Sequence, residues 1–161
     1  MKALTLAVLT LLAVLAAPPA YAQEKSVQSK PADTMPIVLE KMRADKKLLV
    51  AENVQMTESE AKAFWPVYES YQRDLARIND RLLNVINDYA ANYQTMSDEV
   101  ADKLVREAVA IEADRTSLMK SYLPKFSQVL PARKVARYYQ IESKVRAAIN
   151  YELAAGIPLV K

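Results

Sequence analysis

One segment decides what this chain can become. Phe64, Tyr68, Tyr71, Leu75, Ile78, Leu82, Val85 and Tyr89 follow one another in steps of 4, 3, 4, 3, 4, 3 and 4. That is the a/d spacing of a heptad seam, and it predicts a long amphipathic helix. Thr57-Glu58-Ser59-Glu60 stands just ahead of it. The Thr57 hydroxyl and the Glu60 carboxylate are placed to satisfy two N–H groups that a first helical turn leaves open. A helix from Thr57 to about Tyr93 would be roughly 55 Å long at about 1.5 Å per residue. A rod of that length cannot bury its seam against itself, so it needs a second long helix.

The sequence supplies one at once. Residues 92–97 make a short connection, and Ser97-Asp98-Glu99 places a cap and two acids where the helix dipole favours them. Val100, Leu104, Ala108, Ile111, Leu118, Tyr122 and Val129 mark an apolar face, interrupted at Arg115. So short a loop forces the two helices antiparallel. Pro124 is expected to kink the second of them or end it early. A further helix follows Pro131, with Val135, Tyr138, Tyr139, Val145, Ala148, Ile149 and Leu153 on its apolar side. Gly156 stands where a left-handed C-terminal cap would be wanted. Beyond it, Ile157-Pro158-Leu159-Val160 reads as an apolar tail that folds back over a groove or docks on a partner. Before the central pair, a first helix starts near Thr34 to Pro36 and ends near Asn53, with Ile37, Leu39, Met42, Leu48 and Leu49 as a loose stripe. The expected fold class is therefore all-α: four helices with a long central antiparallel hairpin. Thin hairpins carry much surface for little core, which favours a homodimer that buries the leftover apolar face.

Composition narrows function. There is one glycine in the chain, too few for a Gly-rich phosphate loop or for the turns of an all-β fold. No Walker motif is present, so nucleotide use is not expected. Histidine and cysteine are absent. That removes Ser–His and Cys–His nucleophiles, thiolate and imidazole zinc ligands, and disulfides. Asp98, Glu99 and Asp102 read as solvated first-turn acids rather than calcium or magnesium ligands. No catalytic, cofactor or metal residue is assigned, and the chain is not expected to be an enzyme. A net charge of +3 is too balanced to argue for nucleic acid.

The amino terminus reads as an export signal. Lys2 precedes an apolar run over residues 3–17, too short to span a bilayer, and Ala20-Tyr21-Ala22 offers a small-x-small cleavage site. The expected organisation is a signal peptide over 1–22 cleaved after Ala22, a flexible polar lead-in over 23–33, and one helical domain over 34–161. The expected location is the periplasm, with no membrane span left after cleavage.

Two helix starts are built alike. Met56-Thr57-Glu58-Ser59-Glu60 and Leu130-Pro131-Ala132-Arg133-Lys134 each begin with a large apolar residue, and an aromatic pair (Phe64-Trp65, Tyr138-Tyr139) follows eight residues after it. In this the chain resembles the Spy/CpxP family of periplasmic stress proteins, whose mark is a Leu-Thr-x-x-Gln motif at two helix starts. The resemblance covers roughly residues 44–148. The motifs depart from the pattern: Met56 stands for Leu and Glu60 for Gln in the first, Pro131 for Thr and Lys134 for Gln in the second. The resemblance implies antiparallel helical hairpins paired in a cradle-like dimer. It implies either chaperoning of unfolded clients without ATP or restraint of an envelope sensor kinase. The family's zinc-binding branch is not supported, since the usual ligands are missing.

The residues expected to meet such clients are Trp65, one position off the seam, and two basic runs. Arg73, Arg77 and Arg81 recur every four residues, and Arg133, Arg137 and Lys144 lie along the last helix. Cations beside apolar surface steer acidic, partly unfolded chains. Within the helices, Glu69 is placed to pair with Arg73 and Glu142 with Arg146.

Overall fold

The computed structural model describes residues 44–160, and the four expected helices are present. The expected signal peptide, the expected polar lead-in and the expected start of the first helix lie outside the described residues. Helix α1 covers 44–54. It is followed by α2 (Glu58–Asn92), a 3-10 turn (Tyr93–Thr95), α3 (Asp98–Val129) and α4 (Ala132–Gly156). No strand occurs among the described residues. Both caps of the central hairpin form as their residues dictate. Thr57 Oγ1 accepts from the Glu60 N–H while Glu60 Oε2 accepts from the Thr57 N–H at 2.7 Å, and Ser97 Oγ accepts from the Val100 N–H.

Side-chain pairings fix the directions. Phe64 meets Phe126, Tyr71 meets Tyr122, and Arg81 reaches Glu107 and Asp114, so α2 and α3 run antiparallel. Lys134 meets Glu60, Tyr138 meets Phe64, and Gln72 meets Glu142, so α4 returns parallel to α2. Helix α1 lies along the same end of the hairpin. It contributes Val50 and Val54 to the core and reaches α2 through Lys46 and Lys47. The core is thus concentrated at one end. Phe64, Phe126 and Tyr138 are fully buried, with ring centroids 4.7 to 5.6 Å apart. Such ring pairs add about 0.5–1.5 kcal/mol each beyond their area burial.

The seam of α2 outruns this core. Phe64 to Ile78 are buried, whereas Leu82, Val85 and Tyr89 are only half-buried. Of the two outcomes expected at Pro124, an early end to α3 is overturned: the helix continues to Val129. An interior proline costs about 3 kcal/mol, but Tyr122 and Phe126 on either side are both buried, each worth roughly 1.5–3 kcal/mol. Pro124 and Lys120, whose carbonyl loses its N–H partner, face water. Gly156 is not left-handed: it is the last residue of α4, and the chain leaves through Ile157, whose N–H donates to the Leu153 carbonyl at 2.9 Å. The only left-handed non-glycine residue among those described is Gln55, in the α1–α2 turn. The tail meets the far end of the hairpin through the Tyr89 hydroxyl, which donates to the Pro158 carbonyl at 2.8 Å, while Leu159 and Val160 stay exposed.

The core tyrosines make the fold sensitive to alkali. Burial, then the nearby Glu142 carboxylate, raises the phenols of Tyr68, Tyr71 and Tyr138 well above their ordinary 10.0, and Tyr139 is pushed up to about 12. The folded state therefore keeps protons that the unfolded chain gives up. This stability is complete below the ordinary tyrosine value and is lost as pH rises through the raised ones. Denaturant midpoints should stay flat near neutrality and fall steeply above about pH 10. The Tyr138 hydroxyl is buried near Glu142 without a hydrogen-bond partner. Tyr138→Phe should therefore shift stability by less than about 1 kcal/mol, and Tyr138→Ala should cost about 3–5 kcal/mol in urea unfolding.

Candidate binding surface

The two helix starts, far apart in sequence, meet in space. Glu60 Oε2 accepts from Lys134 Nζ at 2.6 Å while it also caps Thr57. Each residue holds the fifth place of its motif. The differences between the two helix starts explain each other. Pro131 is the N-cap of α4 and has no N–H for a side chain to cap. The residue three places on is therefore released from capping. Lys134 uses that freedom to reach the glutamate of the other motif. Pro131 still accepts backbone N–H groups from Lys134 and Val135 through its carbonyl. Leu130 is buried and Met56 packs against the same core. The aromatic pairs that follow both motifs also converge, with Phe64 and Tyr138 edge to face at 5.3 Å. The motif residues Met56, Thr57, Glu60, Leu130, Pro131 and Lys134 thus form one structural clasp at the core end of the rod.

The expected contact residues divide into two groups. Trp65 is half-buried against the core, edge to face with Phe64 and Tyr68, and Lys47 lies 5.2 Å from its ring centroid. Arg81 is engaged by Glu107 at 2.8 Å and Asp114 at 2.5 Å, and works as a tie between α2 and α3. Arg77 pairs with Asp74 at 2.9 Å, and Arg73 donates to Ser70 Oγ. The α2 column therefore turns from open surface at Arg73 to an interhelical tie at Arg81. Arg133, Arg137 and Lys144 are exposed and form no ion pair among the described residues. Helical spacing places them on one flank of α4, beside the core-facing Ile141, which is four residues from Arg137 and three from Lys144. The structure does not gather Trp65 and the two basic runs into one site.

Two expected ion pairs are replaced by longer-range ones. Glu69 pairs with Lys47 of α1 at 2.9 Å rather than with Arg73. Glu142 is buried and pairs with Lys46, while Gln72 donates to its other oxygen at 2.9 Å. Lys46 also donates to Gln72, which closes a three-membered network across α1, α2 and α4. A buried carboxylate is tolerated only when its lone pairs are met, so tertiary partners displace the i,i+4 arginine. Sequence spacing pointed to neither Lys46 nor Gln72 as a partner of Glu142. The available signal was weak: Glu142 follows directly on the apolar Ile141 of the core face.

Apolar side chains also remain in water. Val105 and Val109 on α3 are 62% and 66% exposed, and Leu48, Leu123 and Tyr151 are exposed as well. Among the described residues no three acidic side chains converge as metal ligands, and no helix is long and apolar enough to cross a membrane. Compared with known protein families, with curated proteins and with solved structures, the chain matches none.

The clasp has an acid signature. The hydrogen bond from Lys134, then that from the Thr57 backbone, holds the Glu60 carboxyl below its ordinary 4.5. A lowered carboxylate contributes stability above the ordinary value, and that contribution is lost as pH falls through the lowered one. Unfolding midpoints of the native chain should drop on acidification below about pH 4.5, and the drop should be smaller in Glu60→Gln. Thr57→Ala should cost about 1 kcal/mol at neutral pH in the same assay, through the lost cap.

Proposed function

We propose that this chain is a divergent member of the Spy/CpxP family that holds unfolded or stress-exposed envelope proteins in the periplasm by transient contact, without nucleotide. The observation that carries this reading is the mismatch between apolar surface and cover. The α2 seam continues past the packed core, and Val105, Val109 and Leu123 of α3 face water beside charged neighbours. Contact areas of this kind give weak, reversible and unselective binding. Unpaired cations at Arg133, Arg137 and Lys144 would draw acidic segments towards the rod before apolar contact forms. The clasp between the two motif positions supports the family reading, because it joins the two helix starts by which the family is known. A second copy of the chain would cover part of the exposed apolar face, in keeping with a homodimer.

Suppression of light scattering by a denatured, acidic, unrelated protein tests the reading. The mature chain should protect at up to several-fold molar excess. Arg133→Ser, Arg137→Ser and Lys144→Ser combined should lower protection about twofold or more, most clearly at low salt. Lack of protection at that excess would remove the chaperone reading. If one envelope sensor protein then bound saturably, the alternative of an inhibitory accessory to a stress sensor kinase would take its place.

A further inference from the structure

Where α2, α3 and α4 diverge beyond the core, they leave a groove of about 280 Å³. Leu75, Leu82, Ile86, Met119, Ile149 and Leu153 form its apolar walls. The volume is at the small end of the ~300–1,000 Å³ of ligand pockets. Leu82, Ile86 and Leu153 also line a second depression that runs on under the tail, so the cleft is long rather than wide.

One charge in this cleft is out of place. Arg115 occupies a seam position of α3, four residues after Ile111 and three before Leu118, and is only 7% exposed. Its Nη2 donates to Asn79 Oδ1 at 3.0 Å, but its buried Nε has no partner. The nearest acid, Glu112, is 3.8 Å from that Nε, beyond hydrogen-bond reach. Arg146 of α4 also lines the groove and stands 3.7 Å from the other Glu112 oxygen, again too far. Glu112 itself is largely exposed. The third cation of the lining, Lys46, is occupied by Gln72 and Glu142. Two guanidinium groups therefore line an apolar cleft and share one largely exposed carboxylate, Glu112, in long ion pairs, while the other carboxylate of the lining, Glu142, is taken by Lys46 and Gln72. Arg115 is the buried one of the two, and burying a guanidinium with one hydrogen bond and one long ion pair is costly; an apolar residue of similar bulk would serve packing at least as well.

We propose that this groove binds a single-chain amphiphile with an anionic headgroup, the chain along the apolar walls and the head on Arg115 and Arg146. Guanidinium groups meet carboxylate or phosphate oxygens with paired, charge-assisted N–H donors, which suits such a head. The groove shares Leu82 of the outer α2 seam with the client surface, but its headgroup contacts, Arg115 and Arg146, are not part of that surface.

Isothermal titration of the mature chain with dodecanoate, below its micelle concentration, tests the proposal. One saturable site per chain is expected. Dodecyltrimethylammonium, with the same chain and a cationic head, and acetate, with the head alone, should bind at least about tenfold more weakly. Arg115→Met should weaken dodecanoate about ten- to a hundredfold. Arg146→Gln, at a partly exposed position that folding tolerates, should weaken it about three- to tenfold. A vesicle arm identifies the source. Removal of lysophosphatidylglycerol from bilayers would point to membrane lipid, and dodecanoate binding without such removal would point to free acids; either supports the site. Absence of saturable uptake would overturn the proposal. So would equal affinity for the cationic amphiphile, or unchanged affinity in both arginine variants.

Discussion

Phe64, Phe126 and Tyr138 bring three helices to one point. Each ring comes from a different helix, and none is reached by water. Around them lie Tyr68, Tyr71, Tyr122 and Tyr139, so rings supply most of the contact where the rod is thickest. Rings suit this place because a helix pair alone encloses too little volume for a wide core, and large flat groups fill it from few positions. The prolines within α2 and α3 survive for the same reason. Pro66 and Pro124 are exposed, while buried neighbours (Phe64 and Tyr68, Tyr122 and Phe126) hold both helices continuous across them.

The polar ties are arranged about that centre. Glu60 with Lys134 closes the end nearest the helix starts. Glu142 with Lys46 and Gln72 closes the side where α1 lies, and Tyr122 donates to Asp74 at 2.6 Å across the hairpin. Further out, Arg81 holds α2 to α3 through two acids. Beyond Ile78 the aromatic filling ends, the seam is only half covered, and α4 stands off enough to leave the groove. The molecule therefore has a packed end and an open end. The arginine-lined cleft starts at Tyr71 and Leu75 on the edge of the ring core and runs towards the tail at the open end.

Much of the fold was legible from spacing alone. The heptad steps, the capping box and the brevity of the 92–97 connection led to the hairpin and its antiparallel sense, because each is a local or periodic property. The basic column of α2 shows where spacing stops being informative. Arg73, Arg77 and Arg81 look equivalent on a helical net, yet Arg81 is held by two acids of α3 while Arg73 stays at the surface. Glu69 and Glu142 carry the same lesson, since i,i+4 partners were at hand in the sequence and lost to lysines of α1. The groove had a single trace, the arginine that breaks the apolar run of α3.

Sequence by itself determined that this chain makes long, capped, amphipathic helices and carries no histidine or cysteine chemistry. Those properties depend on residue type and on distances of a few positions. Tertiary structure alone decided that the two helix-start motifs clasp through Glu60 and Lys134, that Glu142 is a buried hub, and that Arg115 and Arg146 face one cleft over a single shared carboxylate. These depend on which faces meet across turns and on how far the aromatic filling extends, and the order of residues along one helix holds no record of either.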